Sequence, residues 1–382
     1  MQINNARDLF EIPEDITYLN CANVAPQLKS ITEAGLHSVR VKESPWTLRS
    51  ADWFSGAETL RELAARLLDV EADSIALVPA ASYGIATAAR NLPVSPSQTI
   101  VLLDREFPSN VYEWRELSRK TGCRIRTVRR SGNLSWTEAL EDAIDESTAI
   151  VSVPQCHWTD GSKVDLERIG RKVREVGAAL VIDASQSLGA CPLDLAKVRP
   201  DFLVAVGYKW LLGPYGLGYL YVAPKWRECG LPLEQSWLTR ARSEDFTRLV
   251  DYTDEYRPGA RRFDMGEFSQ FVLVPMAAAA LRQILTWGVN NIHEAISALT
   301  ATIAECAEDQ GYVVLPRDQR CGHMIGIRHP EGIPNELPGL LQQARIFVSI
   351  RGDSIRIAPH LYNDQKHVER LFQVLRAQFS AR

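Results

Sequence analysis

No run of apolar residues in this sequence approaches the roughly 20 residues that a membrane-spanning helix needs. Basic residues are not in excess either, because the formal net charge of the 382-residue chain is −4, with both signs interspersed. That balance excludes the broad basic surface that is typical of nucleic-acid-binding proteins. The first residues also lack the basic stretch and apolar segment of a secretory signal. We therefore expect a cytoplasmic protein with no membrane partner and no nucleic-acid partner.

Cysteine and histidine motifs are missing as well. The sequence contains seven cysteines without a CxxC pair and seven histidines without an HExxH pattern. An odd number of scattered cysteines indicates reduced thiols in a reducing compartment rather than a framework of disulfides. Because the usual spacing of zinc ligands is also absent, the sequence predicts no metal site.

Length and composition indicate an ordinary globular protein of more than one domain. Hydrophobic residues make up 46% of the chain and charged residues 24%, which is the usual balance. The chain is too long for one small core, so we expect one large and one smaller domain. Short β-branched runs alternate with stretches of helical periodicity, which favours an α/β fold throughout.

Two short apolar runs in the stretch 179–221 end in residues that can do chemistry. The run Leu180–Ile182 is followed by Asp183, and the run Phe202–Val206 is followed by Gly207, Tyr208 and Lys209. Such runs predict buried strands. Ligands of open α/β sheets gather at the carboxyl ends of the strands, so we expect the carboxylate and the amine to lie at the same edge.

A lysine and an aspartate at that edge suit pyridoxal 5′-phosphate (PLP). This cofactor needs an amine, which holds its aldehyde as a Schiff base, and a carboxylate beside its ring nitrogen. Lys209 and Asp183 would fill these two roles. An ordinary ion pair at the edge of the sheet is the alternative interpretation of the two residues taken alone.

The surrounding motifs resemble a known family. Asp183-Ala-Ser-Gln186, Gly207-Tyr-Lys209-Trp and the glycine-rich Gly213-Pro-Tyr-Gly-Leu-Gly218 are similar to the class V aminotransferase family of fold-type I PLP enzymes. That family includes cysteine desulfurases, selenocysteine lyases, kynureninase and isopenicillin epimerases. The similarity extends from Tyr18 to Leu371.

The resemblance implies an architecture. We expect the type I fold of PLP-dependent transferases, with a mostly parallel central sheet in a large domain at residues 18–265. A smaller α/β domain would follow at residues 266–382, with residues 1–17 packed nearby. The family also implies a homodimer whose active sites use both subunits.

The resemblance also implies which residues bind the cofactor. Phe107 would stack on its ring, Ala81 and Ser82 would hold its phosphate at a helix start, and Tyr208 would reach the same phosphate. The interpretation of Ser82 as a simple helix cap stays open. The implied cofactor-binding residues are Lys209, Asp183, Gln186, Phe107, Ser82, Tyr208, Ala81 and Trp158.

Two positions depart from the family pattern. Trp158 stands where desulfurases carry an asparagine that contacts the cofactor's phenolic oxygen, so the indole N–H or Thr159 would have to donate there. Glu267 stands where a threonine usually touches the phosphate. A carboxylate repels a phosphate, so Glu267 is expected to point elsewhere, pair with an arginine or be protonated.

Arg356 is the candidate for binding the substrate carboxylate. It lies in the pattern SxRxxxxxYN, which Tyr362 and Asn363 complete. A guanidinium group grips a carboxylate through two parallel hydrogen bonds. Arg351 is a secondary candidate. Asn23 or Asn20 could also touch substrate, although both could equally serve only to hold a turn.

The sequence favours one reaction over another. Residues 346–359 contain no cysteine, so persulfide formation lacks its thiolate nucleophile and ordinary cysteine desulfuration is rejected. We expect an amino acid substrate, a Schiff base on Lys209 and proton removal at Cα, with transamination as the outcome. A β-lyase acting on C–S or C–C bonds without a catalytic cysteine is the alternative, and a non-enzymatic PLP-binding protein is less favoured.

Overall fold

A computed structural model describes residues 6–130 and 134–380. The predicted segments 1–17 and 266–382 therefore include residues 1–5 and 381–382, which lie outside the described part of the chain. The strands are β1 Thr17–Tyr18, β2 Ile75–Val78, β3 Thr99–Leu103, β4 Arg124–Val128, β5 Thr148–Pro154, β6 Ala179–Asp183, β7 Phe202–Val206, β8 Gly218–Val222, β9 Val313–Val314, β10 Ile325–Arg328, β11 Ile346–Phe347, β12 Ser349–Arg351 and β13 Ser354–Ile357. The α-helices are α1 Lys29–Val39, α2 Asp52–Leu68, α3 Ala81–Asn91, α4 Tyr112–Thr121, α5 Trp136–Ala143, α6 Leu166–Glu175, α7 Leu195–Val198, α8 Pro224–Cys229, α9 Leu273–Trp287, α10 Val289–Asp309, α11 Leu337–Gln343 and α12 Gln365–Ser380.

The central sheet contains seven strands among the described residues, in the order β2-β8-β7-β6-β5-β3-β4. Strands β3 to β7 pair in parallel, and β8 is antiparallel to both of its neighbours. Since β8 is antiparallel to both β2 and β7, β2 runs in the same direction as β7. The carboxyl ends of β2, β3, β4, β5, β6 and β7 therefore lie at one edge of the sheet. The predicted mostly parallel α/β sheet is confirmed.

Both faces of this sheet are buried. Along β7, Leu203 and Ala205 belong to one hydrophobic cluster, while Phe202, Val204 and Val206 belong to another on the opposite face. Helices cover both faces of the inner strands, so strands such as β7 consist of apolar side chains, as expected for a parallel sheet, whereas the edge strand β4 is partly exposed. A continuous apolar run followed abruptly by polar residues is therefore the sequence signature of a strand that delivers residues to the edge.

The C-terminal part of the chain carries its own antiparallel sheet, in the order β12-β13-β10-β9. Strand β1 pairs with β11, and Asn20 bridges to Ala358, so the segment around residues 17–20 lies beside this sheet. The predicted domain boundaries at residues 18 and 266 stay predictions. Of the helices in residues 6–130 and 134–380, none combines the length and apolar character that crossing a bilayer requires.

Close packing positions helix α3 at the active edge. A Cβ atom at Gly84 would lie 2.6 Å from Val204 Cγ2, so only glycine lets the first turns of α3 approach β7 this closely. At the end of β7, a Cβ at Gly207 would lie 2.7 Å from the Leu217 carbonyl oxygen. These two glycines bring the start of α3 and the turn after β7 close to their neighbours.

A buried ion pair anchors the edge strand β2. Arg61 and Asp264 are fully buried, with 2.7 Å between Arg61 Nη2 and Asp264 Oδ2. The Leu77 N–H also donates to Asp264 Oδ1 at 2.7 Å, and Arg61 donates to the Ile75 carbonyl. The pair thus links α2, β2 and the segment that precedes α9.

Replacing Arg61 with leucine is expected to lower the free energy of unfolding by about 1–3 kcal/mol, because buried partners of the guanidinium lose their donor. Asp264 limits the loss, since burial already raises the pKa of its carboxyl and protonation would discharge it. Urea denaturation measures the effect. The exposed Arg119→Ala variant on α4 is the control, and equal stability of Arg61→Leu and wild type would contradict the prediction.

Candidate active site

Lys209 lies at the carboxyl edge of the central sheet, three residues after β7. The residue is only 6% exposed. Burial lowers the pKa of its amine to about 8, and Asp183 partly opposes that decrease. Within the described residues, Nζ forms no ion pair or hydrogen bond, and it lies 5.1 Å from the centre of the Phe107 ring. Near physiological pH this amine is therefore partly neutral, unlike an ordinary lysine.

Asp183 is the last residue of β6, the strand beside β7, and is paired with Val204 in the sheet. It is buried, and its Oδ1 accepts a hydrogen bond of 2.9 Å from the Ser185 N–H. Ser185 in turn accepts from the Val206 N–H at 3.3 Å, which ties the ends of β6 and β7 together. The predicted carboxylate and amine are therefore neighbours, although they form no direct ion pair among the described residues.

Aromatic side chains form one wall of the site. Phe107 follows β3 in the chain. Its ring contacts the Trp158 ring edge-on, with 5.5 Å between the two ring centroids. The Trp158 indole N–H donates to the Arg105 carbonyl at 2.7 Å. That N–H is therefore already engaged and is not free to bind a phenolic oxygen, and the Thr159 hydroxyl is bonded to His157 Nδ1 at 2.7 Å.

Glu106 is a functional candidate that the sequence motifs do not single out. It is 7% exposed, its Oε1 accepts from the Phe107 N–H at 2.6 Å, and Asn110 lies beside the carboxyl. Burial raises the pKa of this carboxyl to about 8, and the Asp183 charge adds to the increase. The signal in the sequence was an acidic residue directly before Phe107 at the end of a buried strand.

The pH dependence of stability should report on Glu106. Its pKa rises from 4.5 to about 8 on folding, so its contribution is fully present below 4.5 and is lost as the pH rises through about 8. Glu106→Gln removes this loss. The variant should therefore gain stability relative to wild type between pH about 5 and about 8, as measured by urea denaturation. Glu113→Gln on α4 is the control, and parallel pH profiles for Glu106→Gln and wild type would refute the assignment.

The start of α3 offers free backbone donors at the same edge. Ala81 and Ser82 are the first two residues of the helix, and Ala80 at its N-cap provides no side-chain cap. Ser82 lies inside the first turn, and Ala80 holds the N-cap position, so the interpretation of Ser82 as a simple helix cap is wrong. The Ser82 side chain is exposed. Uncapped N–H groups at a helix start favour a bound anion.

Gln186 and Tyr208 lie on either side of Lys209. The Gln186 amide donates to the Ala22 carbonyl at 3.0 Å and accepts from the Trp210 indole at 3.0 Å. The buried amide therefore fixes the turn after Lys209, with one N–H left for other partners. Tyr208 is half-buried and packs on Tyr215 with 4.5 Å between ring centroids. Burial raises the pKa of its phenol, so the hydroxyl stays a hydrogen-bond donor.

Arg356 on β13 is a buried cation without an acidic partner among the described residues. It is 1% exposed; Nη1 donates to the Trp158 carbonyl at 2.8 Å and Nη2 to Ser349 Oγ at 3.2 Å. Its Nε has no partner. Burial lowers the pKa of the guanidinium to about 10, and its charge in turn lowers the pKa of the Lys209 amine. A buried charge of this kind requires an anion.

The asparagines divide into one that is near Arg356 and one that is not. Asn20 is buried, and its Oδ1 accepts from Ser349 Oγ at 2.8 Å and lies 3.5 Å from Arg356 Nη2. Asn23 is exposed in the following turn. Arg351 packs over the Trp158 ring at 5.6 Å and has a buried, unpartnered Nε, so it lies on the same wall.

Glu267 is exposed, beside the buried Phe268. Glu267 forms no ion pair within the described residues, so the second alternative, in which it pairs with an arginine, is not observed there. Because it faces solvent, the structure favours the first of the three alternatives, in which Glu267 points away from the phosphate.

These residues fit PLP on features of the structure itself. The site combines a buried amine without a partner, an uncapped helix start and an aromatic ring beside the amine. All three lie at the edge where the carboxyl ends of six strands meet. A phosphate, an aldehyde and a flat ring each find a matching group there.

Comparisons with known proteins agree with this description. The family model for aminotransferase class-V matches residues 38–380. An uncharacterized aminotransferase of Bacillus subtilis (strain 168) is 29% identical over 312 residues, which cover 81% of this chain and 80% of that protein.

Solved structures share the fold. The apo cysteine desulfurase of Thermococcus onnurineus NA1 superposes with a TM-score of 0.85 at 20% identity, over 100% of this chain and 99% of that one. A C-DES mutant with glycine covalently linked to its PLP cofactor gives a TM-score of 0.85 at 18% identity, over 97% of this chain and 98% of that one. The type I transferase fold predicted from the motifs is confirmed.

Proposed function

Because this chain belongs to the class-V aminotransferase family of PLP-dependent enzymes, we propose that it transaminates an α-amino acid and that Lys209 carries the cofactor. The observation that supports this most directly is the buried Lys209 amine, without an acidic partner and with a pKa of about 8. PLP, when bound, supplies an electron sink that accepts the electron pair left at the substrate Cα.

Lys209 is proposed as both the attachment residue and the acid–base group. An amine whose pKa is lowered to about 8 by burial is partly neutral at physiological pH. Its Nζ can therefore take the proton from the substrate Cα and return one to a neighbouring carbon. The environment that lowers this pKa also excludes bulk water, since the residue is 6% exposed.

The other groups bind and orient. Asp183 would keep the ring nitrogen of the cofactor protonated, and the Phe107 ring would face the cofactor ring. The N–H groups of Ala81 and Ser82, with the Tyr208 hydroxyl, would hold the phosphate. Gln186 would contribute its remaining N–H to the ring oxygen, and Trp158, whose N–H is engaged, would contribute only its ring.

Arg356 would bind the substrate carboxylate. Its buried guanidinium lacks an acidic partner, and Nε is free of hydrogen bonds. A carboxylate would balance the charge, and two parallel hydrogen bonds would fix which bond at Cα faces the cofactor ring. Asn20 would support this geometry from the other side, and Asn23 would reach the substrate only from the exposed turn.

Cysteine desulfuration is not proposed, because a thiolate nucleophile is not in place. Residues 346–359 contain no cysteine. Cys21 borders this segment, since its N–H donates to the Ala358 carbonyl at 2.9 Å, and burial raises the pKa of its thiol to about 12, so it stays protonated. Persulfide chemistry on this thiol would require the form that burial suppresses.

The test is a single-turnover reaction of the cofactor-loaded enzyme with a panel of amino acids. Transamination yields the keto acid together with pyridoxamine phosphate in equal amounts. Release of ammonia and pyruvate, or of sulfide or alanine, would replace the proposal with the β-lyase alternative. Binding of the amino acids without any product would identify a non-enzymatic PLP protein.

A homodimer is part of the proposal. Exposed apolar side chains cluster at residues 36–46 and 246–252, including Trp46 and Tyr252 at 80% and 96% exposure. The Trp53–Phe246 ring contact of 5.3 Å holds the second stretch against α2. A partner subunit would cover this apolar surface, and light scattering on the cofactor-loaded protein measures the mass.

A location in the reducing cytoplasm is supported by the seven free cysteines.

A further inference from the structure

A cluster of soft ligand atoms lies behind the active site. Cys191 Sγ, Cys321 Sγ and a ring nitrogen of His323 all lie within 4.8 Å of one another. Cys191 lies in the loop after β6, whereas Cys321 and His323 lie in the segment just before β10. No metal-binding spacing is visible along the chain because Cys191 is far from Cys321 and His323 in sequence, and only the fold brings them together. We call this group the thiol–imidazole cluster.

The hydrogen bonding of His323 decides which nitrogen faces the cluster. Nε2 lies 2.6 Å from the Gln186 carbonyl oxygen. A carbonyl oxygen can only accept, so Nε2 carries the hydrogen and Nδ1 carries a lone pair. His323 is fully buried, and among the described residues its Nδ1 has the Cys191 thiol beside it but no nitrogen or oxygen partner. A metal-binding imidazole has this arrangement, with one nitrogen donating to a carbonyl and the other free to coordinate.

Cys191 Sγ and Cys321 Sγ lie within 4.8 Å of each other and of the His323 ring nitrogen. Cys156 also faces Cys321. A divalent cation would turn both thiols into thiolates whose charges it balances.

We propose that Cys191, Cys321 and His323 bind a soft divalent cation, for which Zn²⁺ is the probe. Bond lengths of about 2.3 Å to sulfur and about 2.0–2.1 Å to nitrogen place the ligand atoms of a tetrahedral site roughly 3.5–3.8 Å apart. The observed limit of 4.8 Å is about 1 Å wider, so binding requires a small contraction. Binding forms two metal–sulfur bonds and one metal–nitrogen bond and releases two thiol protons to solvent. Cys156 or a water molecule would take the fourth position.

An entry route exists on the Cys191 side. A cleft of about 440 Å³ is lined by Gly189, Cys191, Pro192 and Leu193 from one side and by Leu285 and Asn291 from the other. The bound ion would join the loop after β6 to the segment before β10. It would therefore link the central sheet to the C-terminal part of the chain and hold Gln186 through the His323 bond.

Zinc titration of the reduced, untagged, cofactor-loaded protein against a chromophoric chelator tests the site. We expect one equivalent bound per chain, an increase in thermal stability, and reversal of both by a strong chelator. Co²⁺ should give intense visible d–d bands, which are typical of a tetrahedral site with sulfur ligands. Affinity should rise with pH, because binding displaces protons from the thiols; Lys163, His293, Cys156 and His360 are the other titratable groups that face the cluster.

The variants Cys191→Ser and His323→Gln should weaken zinc binding by at least about 10- to 100-fold and abolish the Co²⁺ bands. Cys306→Ser, a half-buried thiol on α10 outside the cluster, is the matched control and should bind as wild type. Circular dichroism and cofactor absorbance confirm that each variant is folded. The proposal is overturned if wild type binds no equivalent, or if Cys191→Ser and His323→Gln retain wild-type affinity and spectra.

Discussion

Replacing Lys209 with alanine is expected to abolish covalent attachment of the cofactor and to lower turnover by at least about 10²- to 10⁴-fold. The reason is that the variant loses the amine that both tethers the cofactor and moves the proton at the substrate Cα. In wild type, turnover should rise with pH through about 8, because the neutral amine is the active form and burial lowers its pKa to that value.

Borohydride reduction followed by peptide mapping measures the attachment directly. A pyridoxyl label is expected on Lys209 in wild type and on no lysine in Lys209→Ala. The exposed Lys197→Ala variant, whose side chain pairs with Asp194 at 3.2 Å, is the matched control and should keep both label and turnover. A label on a different lysine in wild type would contradict the assignment of Lys209 as the attachment residue.

Replacing Arg356 with alanine is expected to reduce kcat/KM for an α-amino acid by roughly 30- to 5,000-fold, which corresponds to about 2–5 kcal/mol for truncating a buried charged partner. The loss arises because the substrate carboxylate would enter a buried site without its cation. For an amine that lacks the carboxylate, the same variant should change kcat/KM little.

Comparison of each amino acid with its decarboxylated amine separates substrate recognition from misfolding. Arg356→Lys should recover part of the loss, since it restores the charge without the planar fork. Arg328→Lys, on the neighbouring strand β10 and paired with Asp353 at 3.7 Å, is the control that should leave both substrates unaffected. An equal loss for acid and amine would show that Arg356 acts only through the structure.

The strands that carry the chemistry were predictable because each is a buried apolar run that ends in a polar residue. This is why Asp183 and Lys209 could be assigned to one edge of the sheet, where β6 and β7 are now paired. Strand β8 was missed, although its Tyr, Leu and Val residues favour a strand. Gly213 and Gly216 precede this strand and favour a loop, so the pattern indicated a loop and not the antiparallel strand that begins at Gly218.

Side-chain partners were predicted less well than positions. The Trp158 N–H was expected to face the cofactor but donates to Arg105, whereas the Gln186 amide bonds to Ala22 and Trp210 and keeps one N–H for the cofactor. A residue type reveals which hydrogen bonds a side chain can make, and its neighbours in space decide which ones it makes.

Local hydrophobic patterns and short motifs encode the family, the cofactor, the parallel sheet and the edge at which the lysine and the aspartate meet, so these could be inferred from the chain alone. Packing in three dimensions makes Glu106 a buried acid with a raised pKa and leaves Arg356 without an acidic partner among the described residues. It also assembled Cys191, Cys321 and His323. Burial and proximity between distant segments are properties of packing, and no pattern along the chain records them.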